Sequence, residues 1–172
     1  MRTVIGGFNL KKLHKFSFIP LFILLFLSGC TANAEKADFD IFQYKDSYVG
    51  DNSAVVNSVI HLQGEAYFSG LELQTKDEPY GVTVKYDWEE SALDAKETMI
   101  HNASYLFTLL QNVSWISFEF EMPNGVDGYQ VTRESLEEVY GVDLLDIDDE
   151  DELKELIGEL LEDEKKVNDL LD

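Results

Sequence analysis

The only cysteine of this 172-residue chain, Cys30, stands directly behind an apolar run. No feature constrains the fold more. A chain with one thiol forms no internal disulfide, so whatever folds downstream must be held by its own core. The 29 residues ahead of Cys30 carry four basic residues, Arg2, Lys11, Lys12 and Lys15, and no acid. From Phe16 to Leu27 the chain is apolar except at Ser17 and Pro20. A basic start followed by about 7–15 apolar residues is the pattern of a secretory signal peptide. The run is too short to cross a bilayer core as a helix, which takes roughly 20 residues.

Leu27-Ser28-Gly29-Cys30 resembles the lipobox of bacterial lipoproteins: a branched apolar residue, two small residues, then cysteine. Leu27, Ser28 and Gly29 are the expected signal-peptidase recognition residues, because small side chains let the backbone enter a peptidase cleft. Cys30 is the expected lipidation site, because a thiolate is the strong nucleophile that takes up a lipid group. The resemblance implies a diacylglyceryl thioether, with long acyl chains of the palmitate kind, on the outer face of the cell membrane. Each buried methylene contributes about 0.8 kcal/mol, so two long chains anchor durably where one holds marginally.

The expected organisation is a signal peptide over 1–29, a lipidated cysteine with a flexible tether over 30–38, and a single domain over 39–172. The tether, small and polar, reaches about 15 Å. Cleavage before Cys30 removes all four basic residues of the leader. Nine Lys and Arg then face 34 Asp and Glu, a net charge of −25. Such a surface repels nucleic acid and anionic headgroups, which excludes both as partners. The remaining 143 residues suffice for one domain that buries roughly two thirds of its unfolded surface.

Spacing supplies the elements. Val55, Val56, Val59, Ile60 and Leu62, behind cap candidates Asp51-Asn52-Ser53, predict a helix near 52–62. Alternation in 67–75 and 80–87, with a turn-like Lys76-Asp77-Glu78-Pro79 between, predicts a β-hairpin. Met99, Ala103, Leu106, Leu110 and Val113 form an apolar stripe on a long helix near 91–112. Trp115 to Met122 is the clearest strand: Ile116, Phe118, Phe120 and Met122 face one way, Trp115, Ser117, Glu119 and Glu121 the other. Residues 124–128 read as a loop and 129–132 as a short returning strand. Thr132 then caps a short helix ended by Gly141, with Ser135 where a full capping box wants Glu or Gln. Two further helices follow, near 149–161 and 164–171. The order α-β-β-α-β-β-α-α predicts an α+β fold, an antiparallel sheet of about four strands packed by helices.

No catalytic set emerges. His61 with Glu65, and His101 with Glu97, are His–acid pairs one helical turn apart, but a zinc site needs three or four converging ligands. The acidic run Asp146, Asp148, Asp149, Glu150, Asp151, Glu152 has Asp151 where a calcium loop needs glycine, and reads better as helix capping and solvation. No nucleophile elbow or phosphate-binding glycine loop is present. The sequons at Asn102 and Asn112 fall on or beside a predicted helix and read as coincidence. Trp88, Trp115 and the tyrosines read as core before groove. No metal or cofactor is expected.

Phe42-Gln43-Tyr44-Lys45-Asp46-Ser47-Tyr48-Val49-Gly50-Asp51-Asn52-Ser53, Asn102-Ala103-Ser104-Tyr105-Leu106-Phe107 with Gln111-Asn112-Val113, and Val131-Thr132-Arg133-Glu134 with Tyr140-Gly141 resemble the DUF4825 family. That family is an uncharacterised extracytoplasmic domain of Firmicutes. The resemblance covers about 39–170. It implies a Gram-positive source and a binding or sensing role, with an envelope protein or cell-wall component as partner. It carries over no protease activity and no catalytic residue. The expectation is a non-enzymatic, membrane-anchored lipoprotein. Its alternatives are an envelope hydrolase, which needs two carboxyls about 5–9.5 Å apart in a cleft, and a divalent-cation-binding protein.

Overall fold

Period-two patterning builds the sheet that organises the computed structural model, which describes residues 39–171. The leader, the lipobox residues Leu27, Ser28, Gly29 and Cys30, and the tether 30–38 lie outside the described residues. The strands are β1 (Phe68–Gln74), β2 (Gly81–Asp87), β3 (Trp115–Met122) and β4 (Gly125–Thr132), in the order β1-β2-β3-β4. The helices are α1 (Asn52–Val59), α2 (Ala95–Leu109), α3 (Arg133–Tyr140), α4 (Glu150–Glu162) and α5 (Glu164–Leu171). The α+β class and the element order agree with the pattern of the sequence.

The strand directions do not all agree. β1–β2 and β3–β4 are antiparallel, but β2 and β3 run parallel, with Val82 opposite Ile116 and Val84 opposite Phe118. The sheet is therefore mixed rather than antiparallel. The cause is α2. A parallel pair needs a crossover that carries the chain back to its starting end. The 15 residues of α2 span about 22 Å, close to the roughly 23 Å of a seven-residue strand. The helix returns the chain to the start of β2, and β3 enters beside it.

Local chemistry corrects three boundaries. The expected loop over 124–128 is already strand, because Pro123 and Asn124 alone make the turn and Met122 pairs with Gly125. Gly125 has φ +140°, which glycine tolerates for want of a Cβ. The capping box at α3 is complete: Thr132 accepts from the Ser135 N–H at 3.1 Å, and the Thr132 N–H donates to Ser135 Oγ at 3.3 Å. Serine therefore does the work expected of Glu or Gln. α1 stops at Val59, which leaves His61 in the following turn.

α2 was expected to show one apolar stripe. Instead Thr98, Met99, Ile100 and every residue from Asn102 to Leu109 are buried. The helix touches β3, β4, α1, α4 and the 3₁₀ turn Leu144–Asp146, so it is enclosed from several directions. Enclosure of most of its surface explains why a helix with only weak amphipathicity is stable there. Its polar residues are mostly satisfied: Ser104 Oγ bonds the Ile100 carbonyl at 2.7 Å. Thr98 and Thr108 are the exceptions, with hydroxyls that find no partner among the described residues. Among the described residues no helix is long and apolar enough to cross a membrane.

Candidate functional site

Trp115 lies on the more exposed, largely polar face of the sheet. Strand alternation turns Val82, Val84, Tyr86, Ile116, Phe118 and Phe120 inward, where all are buried. The opposite positions Thr83, Lys85, Ser117 and Glu119 are half-buried, and Glu72, Glu121 and Gln130 are exposed. Trp115 shares that polar face. Its indole lies over Gly81, its parallel-strand partner, so closely that a Cβ there would stand 1.9 Å from the ring. Its Nε1–H donates to the Pro79 carbonyl at 3.1 Å. Gly81 thus serves as a seat for the ring, which is half-buried. Among the described residues no other aromatic ring stacks on it.

The ring forms part of a trough of about 1040 Å³ bounded by Pro79, Asn112, Ser114, Trp115, Glu134 and Glu138. A second hollow of about 530 Å³ shares Pro79, Asn112 and Ser114 and extends the trough to Glu78 and Tyr80. Arg133 lies beneath it. Its guanidinium donates to the Leu110 carbonyl at 2.6 Å and the Val113 carbonyl at 3.1 Å, pairs with Glu137 at 3.3 Å, and sits 5.1 Å from the centre of the Phe107 ring. It satisfies one carbonyl at the C-cap of α2 and one in the segment that follows. Burial lowers its affinity for its proton, and Glu137 opposes that shift. Glu137 also accepts from the Leu144 N–H at 3.2 Å. Glu78, Glu134 and Glu138 are exposed and, among the described residues, enter no ion pair.

The residues singled out from sequence take other places. His61 stacks on Phe39 at 3.5 Å and donates from Nδ1 to the Asn57 carbonyl at 2.7 Å. Glu65 opens a 3₁₀ turn, and Glu97 lies exposed in the first turn of α2. His101 bonds through Nδ1 to Asn102 Oδ1 at 3.0 Å, and burial holds its pKa below the ordinary imidazole value. Since that oxygen only accepts, Nδ1 carries the proton. Asn102 itself is wholly buried and fully engaged: Oδ1 also accepts from the Gln63 N–H at 3.1 Å, while Nδ2 donates to the Gln63 carbonyl at 2.8 Å and to the Tyr86 hydroxyl at 2.9 Å.

The acidic cluster is dispersed among structural tasks. Asp149 caps α4, Asp148 pairs with Lys45 at 3.2 Å, and Glu150 accepts from the Tyr105 hydroxyl at 2.9 Å and pairs with Lys154 at 3.0 Å. Burial and Glu150 together push the Tyr105 phenol well above its ordinary pKa. Among the described residues no three His, Cys, Asp or Glu side chains are placed to hold a metal ion.

The longer motifs meet around the second half of α2 and the segments packed beside it. Lys45 donates to the Leu145 carbonyl at 2.7 Å and to the Ile147 carbonyl. Asp46, at φ +66°, accepts from Gln111 Nε2 at 2.9 Å, and Asn112 Oδ1 accepts from the Val49 N–H at 2.8 Å. Tyr140 shares a 2.6 Å bond with Ser104, and burial pushes its pKa up to about 12. These residues knit the fold, and Asn112 among them also borders the trough. Sequence alternation had already set Trp115 on the polar side of β3. Nothing in the sequence placed Gly81 beneath it, because the parallel pairing was not foreseen.

A family profile described as "Domain of unknown function (DUF4825)" matches residues 41–143. That span is shorter than the 39–170 expected and leaves α4 and α5 beyond it. No curated protein and no solved structure matches the chain.

Proposed function

The chain belongs to the DUF4825 family, and from that membership and the lipobox at Leu27-Ser28-Gly29-Cys30 we propose a membrane-anchored extracytoplasmic lipoprotein that acts as a non-enzymatic binding or sensing domain. The observation that carries the anchoring is the placement of the single cysteine: small residues before it, an apolar run before them, and a basic start. The binding role is supported by the trough. A tryptophan fixed beside an open trough offers the amphipathic contact area that is enriched at interfaces. The carboxylates nearby do not resemble an acid–base pair. Glu137 is tied to Arg133, while Glu134 and Glu138 stand exposed.

Two experiments test this reading. Metabolic labelling with a fatty acid should mark the wild-type protein and not Cys30→Ser, which should also leave the membrane fraction. Unchanged labelling of Cys30→Ser would overturn the anchoring. Crosslinking in intact cells should capture a reproducible partner. Recovery of only random envelope neighbours would overturn the binding role.

A further inference from the structure

We propose that the trough binds a basic peptide segment of a partner protein, with an arginine or lysine side chain laid on the solvent side of Trp115 and further cations set against Glu78, Glu134 and Glu138. The proposal rests on the binding-domain reading and adds to it the ligand class and the residues.

Four observations point the same way. Trp115 is a prepared platform: Gly81 seats the ring and Pro79 fixes its Nε1–H, so little side-chain freedom remains to be lost on binding. Tryptophan offers the best aromatic face for a cation.

The sign of the charge is equally specific. The cation beneath the trough, Arg133, is already held by two carbonyls, Glu137 and the face of Phe107. The acids at the rim have no such partners among the described residues. The site therefore presents uncompensated negative charge beside an aromatic face.

Glu134 and Glu138 stand four residues apart on α3, where like charges repel. Glu138 also lies in the last turn, where the helix dipole disfavours a carboxylate. An incoming cation relieves both penalties.

The shape favours a chain over a small molecule. The two hollows, about 1040 and 530 Å³, run together through Pro79, Asn112 and Ser114, with acids at both ends. Small-molecule sites of about 300–1,000 Å³ instead enclose most of their ligand. An extended segment with spaced positive charges fits two adjoining open hollows with acids in each lining.

The test uses the full-length protein in detergent micelles and a fluorescein-labelled hexa-arginine peptide, at about 0.15 M salt to screen distant charges. Anisotropy should show saturable binding. Trp115→Ala should weaken it about fivefold or more, and Trp115→Phe should restore part of the loss. Glu134→Gln with Glu138→Gln should weaken it about tenfold. A matched pair on the exposed side of α4, Glu155→Gln with Glu159→Gln, should change it less than about twofold. Hydrogen exchange should show peptide-dependent protection at Gln111–Trp115 and Thr132–Glu138. Equal loss in both double variants, an unaffected Trp115→Ala, or protection confined elsewhere would overturn the proposal. The two readings fail separately. A partner still captured in cells by Trp115→Ala removes the trough and leaves the binding domain. Capture of no specific partner removes both.

Discussion

On one face of the sheet Val82, Val84, Ile116, Phe118 and Phe120 are wholly buried, while one residue further along the same strands Thr83, Lys85, Ser117 and Glu119 are only half covered. Each face also holds a tryptophan. Trp88, just past β2, is 3% exposed and packs edge-on against Tyr67, Tyr86 and Phe120, with ring centres 5.2, 5.5 and 4.8 Å away. Trp115 has a glycine on one side and a trough on the other. The same residue type is core filling in one place and surface in the other. What separates them is the direction the pleat assigns to each position.

The comparison can be broken in order of expected effect. Trp88→Ala removes a ring from a close-packed cluster and should lower stability by about 3–5 kcal/mol, whereas Trp115→Ala should lower it by about 1 kcal/mol. Denaturant unfolding of both variants checks this, and equal losses would mean that Trp115 is core after all. Asn102→Leu keeps the number of side-chain heavy atoms but strands the Gln63 backbone groups and the Tyr86 hydroxyl, for an expected loss of about 2–3 kcal/mol. Ser117→Ala on the outer face should stay within about 0.5 kcal/mol.

Gly81→Ala sharpens the contrast. Its Cβ would lie inside the Trp115 ring, so the indole must lift from its seat. The expected cost is about 1 kcal/mol, with a red-shifted indole emission and weaker peptide binding. An unchanged spectrum would show that the ring was never seated there.

His101 gives the smallest and most conditional effect. Burial lowers its pKa in the folded state, so below about 6.5 the unfolded chain takes up a proton that the native protein resists. The stability linked to this group is complete above the unfolded value and is lost as pH falls through that value toward the depressed native one. Melting curves from about pH 8 to about pH 5 should therefore fall more steeply for wild type than for His101→Gln. Parallel curves would remove His101 from the account.

Legibility from the sequence followed periodicity. β3 was readable to the residue because Ile116, Phe118, Phe120 and Met122 alternate without interruption. α3 was readable because Thr132 and Gly141 bracket it. The parallel seam was not, since alternation within a strand carries no information about its neighbour's direction. The start of β4 was missed because Gly125 and Gly128 look like loop, and only the pairing with Met122 and Glu119 makes them strand. The trough combined both failures: Trp115 could be placed on its face, but its seat, its Arg133 floor and its acidic rim come from segments that only the tertiary fold brings together. Cys30, the proposed lipidation site, lies outside the described residues.

The parallel seam has a kinetic consequence. Each hairpin, β1–β2 and β3–β4, closes over a short turn, but joining them requires the chain to traverse all of α2 first. Pairings distant in sequence form late, because loop closure is unfavourable until the contacts it permits appear. The docking of α2 and the zipping of the seam are then expected to be one event. Ala103→Gly, at the buried centre of α2, should slow refolding in proportion to the stability it removes, while Asn124→Ala in the β3–β4 turn should chiefly change the unfolding limb of the chevron. The reverse assignment would mean that the second hairpin, rather than the crossover, sets the pace at which this domain becomes whole.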